Sequence, residues 1–127
     1  MNLNQITIHV SNLERSIAFY EKIGLVLIVN SPGNSYARFE CPDGGTTFSL
    51  HQAEDISPNG ASFYFEVEDV DGVVRALIEK GVAFETEPTD QTWLWREAWC
   101  RDPDGHRIGI YHGGENRRFP PWRVKAQ

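Results

Sequence analysis

The chain has 127 residues, 40% of them apolar and 12% aromatic, which suits one globular domain with a real core and is too little for two ordinary ones. No apolar run approaches the roughly 20 residues that span a bilayer, and a formal charge of −6 argues against the basic face needed to displace phosphate counterions, so neither membrane nor nucleic acid is the expected partner. The charge is uneven: residues 1–112 hold 17 acids against 8 Lys and Arg, whereas the tail from Gly113 to Gln127 holds 1 against 4.

In chain order, residues 5–10 ("QITIHV") alternate polar Gln5, Thr7 and His9 with apolar Ile6, Ile8 and Val10, the period of a half-buried strand. The period then changes. Asn12 is a helix N-cap, Leu13, Ile17 and Tyr20 fall at i, i+4 and i+7, and Gly24 stands where a C-terminal glycine stops a helix. Residues 25–30, 35–41 and 46–51 read as strands, separated by the turns "SPGN" and "PDGG". The order returns about sixty residues later: "ASFYFEV" is a strand, Asp69 caps a helix carrying Val70, Val74, Leu77 and Ile78, and Gly81 ends it. The caps lie 57 residues apart, the helix-ending glycines 57, and the turns "PDGG" and "PDGH" 61, which marks an internal repeat.

The expectation is an α+β fold: two βαβββ modules in tandem, at about residues 3–52 and 61–112, forming a curved mixed sheet around a cleft, in one domain of residues 1–112. "AEDISPNG" links the modules, and the basic tail 113–127 is either a frayed terminus or a strap for acidic surface. Cys41 and Cys100 lack C-x-x-C spacing and are expected as reduced, buried thiols; "MNLNQITIHV" shows no basic segment followed by an apolar run. A cytoplasmic protein is the expectation.

Strand alternation selects the residues that face the cleft: Gln5, Thr7, His9, Thr47, Ser49, His51, Ser62, Tyr64, Glu66, Arg107, Gly109 and Tyr111. Counting back from the second turn sets Glu97, Trp99 and Arg101 level with Tyr36, Arg38 and Glu40 on that face, with Trp95 in the parity of Trp99. Ala98 and Cys100 pair with Ala37 and Phe39 on the helix side.

The paired pattern, with "VSNLERSIAFYEKIGL" after the first strand and "DPDGHRIGIY" near the end, resembles the vicinal oxygen chelate superfamily of glyoxalase I, bleomycin-resistance proteins and extradiol dioxygenases. The resemblance covers about residues 3–112 and implies a site for a divalent metal with about four His, Glu or Gln ligands. Its ligand positions fall on Gln5, on Ser49 with His51 two residues further along, on Ser62 and on Gly109. Two hydroxyls and a hydrogen lack the donor strength such ions require, so the inherited site is expected to be empty, with no cofactor. The alternative is one divalent metal in a displaced site using three of His9, His51, Glu66 and Glu97, which would make the protein a lyase, isomerase or dioxygenase. The resemblance also implies a homodimer.

Trp93, Trp95 and Trp99 leave two readings open. They pack in a core or dimer interface, or Trp95 and Trp99 wall a slot that Gly109 enlarges. Gly109 itself marks either that room or a close backbone approach. In the slot reading, Glu66 and Glu97 set negative charge beside aromatic faces, which favours a flat or cationic organic ligand, and the protein is a small-molecule binder of the metal-free bleomycin-resistance type.

Overall fold

In the computed structural model, which describes residues 1–58 and 60–124, the chain divides into two units. The first runs to Gly60 and takes in the turn Asp102–Gly105; the second holds Ala61–Arg101 and the chain from His106. Each unit repeats one plan. In the first, strand β1 (Gln5–Val10), helix α1 (Leu13–Lys22) and strands β2 (Val26–Ser31), β3 (Tyr36–Glu40) and β4 (Thr47–Gln52) build a mixed sheet of order β1-β4-β3-β2. In the second, β5 (Ser62–Glu66), α2 (Val70–Glu79), β6 (Thr89–Asp90), β7 (Arg96–Arg101) and β8 (Arg107–His112) give the order β5-β8-β7-β6, followed by a short helix α3 (Glu115–Arg118). The tandem βαβββ reading is therefore correct, with a four-stranded sheet in each module.

The helices start where their caps place them. The Asn12 side chain accepts from the Arg15 amide at 2.9 Å and Asp69 from the Gly72 amide at 3.0 Å, each satisfying one of the orphan donors of a first turn. Gly24 and Gly81 end the helices at φ of 107° and 93°, a left-handed conformation that a side chain would strain. Helix α1 lays Leu13, Ile17 and Tyr20 on β3 and β4, against Ala37, Phe39, Phe48 and Leu50; α2 lays Val70, Val74 and Leu77 on β7 and β8, against Ala98, Cys100, Ile108 and Ile110. At about 1.5–3 kcal/mol for each large apolar side chain removed from water, these two faces dominate the stability. The equivalence of Ala37 and Phe39 with Ala98 and Cys100 holds, since all four are fully buried.

Three expectations need correction. Ile78 is 53% exposed, because α2 turns only the stripe of Val70, Val74 and Leu77 onto its sheet. The second strand of the second module is reduced to Thr89–Asp90, preceded by a single bridge from Phe84 to Cys100, because Pro88 interrupts the run. Cys41 is only half-buried, although Cys100 is buried as expected.

The "DPDGH" turn forms as its residues dictate: Asp102 accepts from the Asp104 amide at 3.0 Å and Gly105 has φ of 90°. It also anchors the first unit. The buried Tyr20 hydroxyl donates to Asp102 at 2.6 Å, and Asp104 accepts from the Ser11 amide at 3.0 Å. No described helix is long and apolar enough to cross a membrane.

Candidate functional site

Register fixes which side chains share the sheet face opposite α1. Because β1 runs parallel to β4 with Thr7 beside Ser49 and His9 beside His51, and β3 runs antiparallel with Arg38 beside Ser49 and Tyr36 beside His51, these residues form one polar surface. Ser49, at its centre, is fully buried. Its hydroxyl receives the Gln5 amide at 2.8 Å and meets the Tyr36 hydroxyl at 2.7 Å, and the Arg38 Nε donates to that same phenol oxygen at 2.8 Å. Gln5 bonds further to Thr47 and, at 3.2 Å, to Thr7. His9 and His51 are exposed, their ring centres 5.7 Å apart. Burial alone would push the Tyr36 phenol up; the Ser49 hydrogen bond and the Arg38 guanidinium outweigh it and hold the phenol below its ordinary value.

The second unit carries the equivalent face, and it is aromatic. Register sets Tyr64 and Trp99 on either side of Gly109, and Glu66 and Glu97 on either side of Tyr111. The glycine leaves no open slot. A Cβ there would stand 2.9 Å from Cη2 and 3.0 Å from Cζ3 of Trp99, so the indole itself lies over the bare backbone. Close approach is the correct reading of Gly109, and the expectation that it enlarges a cavity is overturned because Trp99 occupies the room. Trp99 is 8% exposed and Tyr111 5%, whereas Tyr64 is 46% exposed and Trp95 half-buried. The Tyr64 ring meets Trp95, Trp99 and Tyr111 edge-on at 5.6, 5.0 and 5.3 Å, and Trp95 lies 4.8 Å from Tyr111.

Glu97 is 4% exposed and accepts from the indole N–H of Trp99 at 3.1 Å and of Trp93 at 3.4 Å. The Arg107 guanidinium covers the Trp99 ring at 4.1 Å and donates to Ser62 at 3.2 Å. Burial, and then the Glu97 charge, raise the Tyr64 phenol; burial and Glu66 raise that of Tyr111. The Glu66 carboxylate accepts from the amides of Gly113 and Gly114, both at 2.9 Å, and these bonds with His112 and Arg117 outweigh burial and lower its pKa. Trp95 donates to the Asn116 carbonyl at 3.3 Å, so the tail folds back on its own unit as far as α3.

The residues at the four implied ligand positions do not fit a divalent cation. The Gln5 amide and the Ser49 hydroxyl are spent on each other and on their neighbours, Ser62 is bonded to a guanidinium, and Gly109 is covered by an indole. Within each unit an arginine adds positive charge next to an implied ligand position, Arg38 beside Ser49 and Arg107 beside Ser62. For the displaced alternative, Glu66 is engaged by two amides and Glu97 by two indoles, and among the described residues no group of three or more His, Cys, Asp and Glu is gathered to hold a metal ion.

Tyr36 is the residue that alternation placed on the face without revealing its chemistry, since only the fold brings Ser49 and Arg38 to its oxygen together. Trp93 was legible only as one of three tryptophans; it lies in the turn before β7 and reaches back to Glu97.

A family model described as the Glyoxalase/Bleomycin resistance protein/Dioxygenase superfamily matches residues 2–110. The chain is 30% identical over 122 residues to the probable trivalent organoarsenical cleaving enzyme of Bacillus subtilis (strain 168), which covers 91% of this chain and 83% of that protein. To the metallothiol transferase FosB of Lysinibacillus sphaericus (strain C3-41) it is 29% identical over 121 residues, 88% of this chain and 82% of that one. Among solved structures, a glyoxalase/bleomycin resistance protein/dioxygenase from Nocardioides superposes with a TM-score of 0.78 at 22% identity, over 98% of this chain and 90% of that chain. With its paired βαβββ modules and this match across most of its length, the chain belongs to the glyoxalase/bleomycin resistance protein/dioxygenase superfamily, the vicinal oxygen chelate proteins.

Proposed function

We propose that the protein binds a flat or cationic organic molecule on the aromatic, acidic face of its second unit, without a divalent metal, in the manner of the bleomycin-resistance type. The observation that carries this reading is the Arg107 guanidinium 4.1 Å over Trp99, with the Glu97 carboxylate accepting from the N–H at the edge of the same indole. The face already holds one cation, which an incoming aromatic cation exchanges for its own charge at about 0.5–2 kcal/mol per ring contact. Tyr64 and Trp95, exposed and half-buried, are the rings left for a ligand to stack on. The protein acts in the cytoplasm as a homodimer, and its two cysteines, neither of them in a disulfide among the described residues, suit a reducing compartment.

The test is tryptophan fluorescence during titration with N-methylquinolinium and with neutral quinoline. Saturable quenching by the cation, weakened by Tyr64→Ala, supports the reading; no response to either overturns it. Light scattering should return twice the chain mass, and a monomer at micromolar concentration removes the dimer.

A second reading follows from the names of the relatives, which describe cleavage of organoarsenicals and metallothiol transfer: this chain too catalyses a metal-dependent reaction. Its thiols give that reading little support, since Cys100 is fully buried and burial raises the Cys41 thiol, which keeps it protonated and weakly nucleophilic. Metal analysis of protein purified without chelator separates the two, with near one equivalent of a transition metal favouring the enzyme and near none the binder.

A further inference from the structure

Apart from the aromatic face, we propose that Tyr36 and Arg38, on the sheet of the first unit, form a binding site for an oxyanion: the carboxylate or phosphate group of a small organic acid or phosphate ester. The argument is one of hydrogen-bond direction. The Gln5 Nε2 lies 3.2 Å from the Ile6 carbonyl oxygen, a group that only accepts, so this atom is the amide nitrogen and donates to Ser49. Ser49 is fully buried, and its own proton has the Tyr36 oxygen as acceptor at 2.7 Å. The Arg38 Nε, always a donor, reaches the same oxygen at 2.8 Å. The phenol oxygen thus accepts twice, and its proton is left to point out of the network.

Arg38 brings the second feature. Among the described residues its guanidinium stands in no ion pair, while Nε is its one hydrogen-bonding contact with the network, so its terminal N–H groups are donors in search of an acceptor. The other titratable groups of this face are His51, paired with Tyr36, His9 beside it, and Glu40 two residues beyond Arg38, paired with Thr47. A phenol proton beside a half-buried guanidinium offers donors and positive charge with no acceptor between them. A ligand that satisfies both is all acceptor and negatively charged. Tyr36 and Arg38 are the binding residues; Ser49 and Gln5 are positioning residues that turn the phenol outward.

The experiment is calorimetric titration of the full chain, at low ionic strength, with inorganic phosphate and with benzoate, which separate the two sources of the oxyanion. At least one should bind saturably and more tightly than chloride. Arg38→Gln should weaken it by about tenfold or more and Tyr36→Phe by about five- to tenfold, the effect of one hydrogen bond to a charged group. Arg38→Lys should recover part of the loss, and Arg75→Gln, at an exposed position of α2, should leave the affinity unchanged. Bound anion should also raise the pH at which the Tyr36 phenolate band appears, a shift absent from Tyr36→Phe. The proposal is overturned if neither anion binds more tightly than chloride, or if the two weakening variants, shown by their melting curves to be folded, bind as the parent does.

Discussion

The two sheet faces opposite the helices occupy matching positions in the repeat yet are built on different physics. In the first unit the central position is Ser49, whose hydroxyl joins Gln5, Tyr36 and Arg38 into a network of polar contacts. In the second it is Gly109, which contributes only the space in which the Trp99 indole lies. Arg38 and Trp99 hold matching places, one beside Ser49 and the other beside Gly109, and Tyr36 and Glu97 likewise. The helix-facing sides differ far less, both being tightly buried apolar sets. The difference teaches that the repeat is constrained where each sheet must exclude water under its helix, and free to diverge on the other face.

The sharpest way to test that contrast is truncation of the matching residues. Trp99→Ala should cost about 3–5 kcal/mol, because it opens a cavity and strips Glu97 of an indole donor, while Arg38→Ala, half-exposed and outside the core, should cost under about 1 kcal/mol; denaturant midpoints measure both. Next come the central positions. Gly109→Ala should destabilise by about 1–3 kcal/mol through the clash with Trp99, and Trp99→Phe should relieve part of that clash. Ser49→Ala should cost about 1–2 kcal/mol, since the Gln5 Nε2 loses its shortest acceptor, and equal effects at Ser49 and Gly109 under a Trp99→Phe background would dissolve the distinction.

Ionisation separates the faces without any change in packing. Spectrophotometric titration should find Tyr36 ionising below the ordinary phenol pH near 10 and Tyr64 and Tyr111 above it; Tyr36→Phe should delete the earliest step. The smallest effect belongs to Glu66. Its folded pKa is lowered, so the stability it contributes is present above the unfolded carboxylate value and is lost as pH falls through the folded one. Amide exchange at Gly113 and Gly114 should therefore accelerate first in that acid window, and Glu66→Gln should show the acceleration at neutral pH.

Much of the scaffold was legible in the chain itself. Asn12 and Asp69 announce the helix starts, Gly24 and Gly81 the ends, and the alternation of "QITIHV" and "ASFYFEV" the face each residue takes, because capping and pleating act within a few residues. Trp99 and Ser49 were placed on the right face, but alternation does not distinguish a residue that lines a cavity from one that fills it. The slot expected at Gly109 failed on that point, since the volume available there depends on where an indole ten residues earlier in the chain comes to rest. Asp102 was legible as a turn residue and not as the partner of Tyr20, 82 positions away.

The sequence alone therefore determined what local forces control: the repeat, the order of elements, the helix caps, the buried stripe of each helix, and the absence of strong donors at Ser49, Ser62 and Gly109. Only the tertiary structure decided how the remaining polar and aromatic atoms are used: that the Tyr36 oxygen meets both Ser49 and Arg38, that Arg107 covers Trp99, and that Glu97 is held by indoles. The physical reason is range. Backbone preference and amphipathic period act between near neighbours along the chain, whereas a hydrogen bond or ring contact depends on ångström-scale distances between residues that the sheet register brings together from far apart.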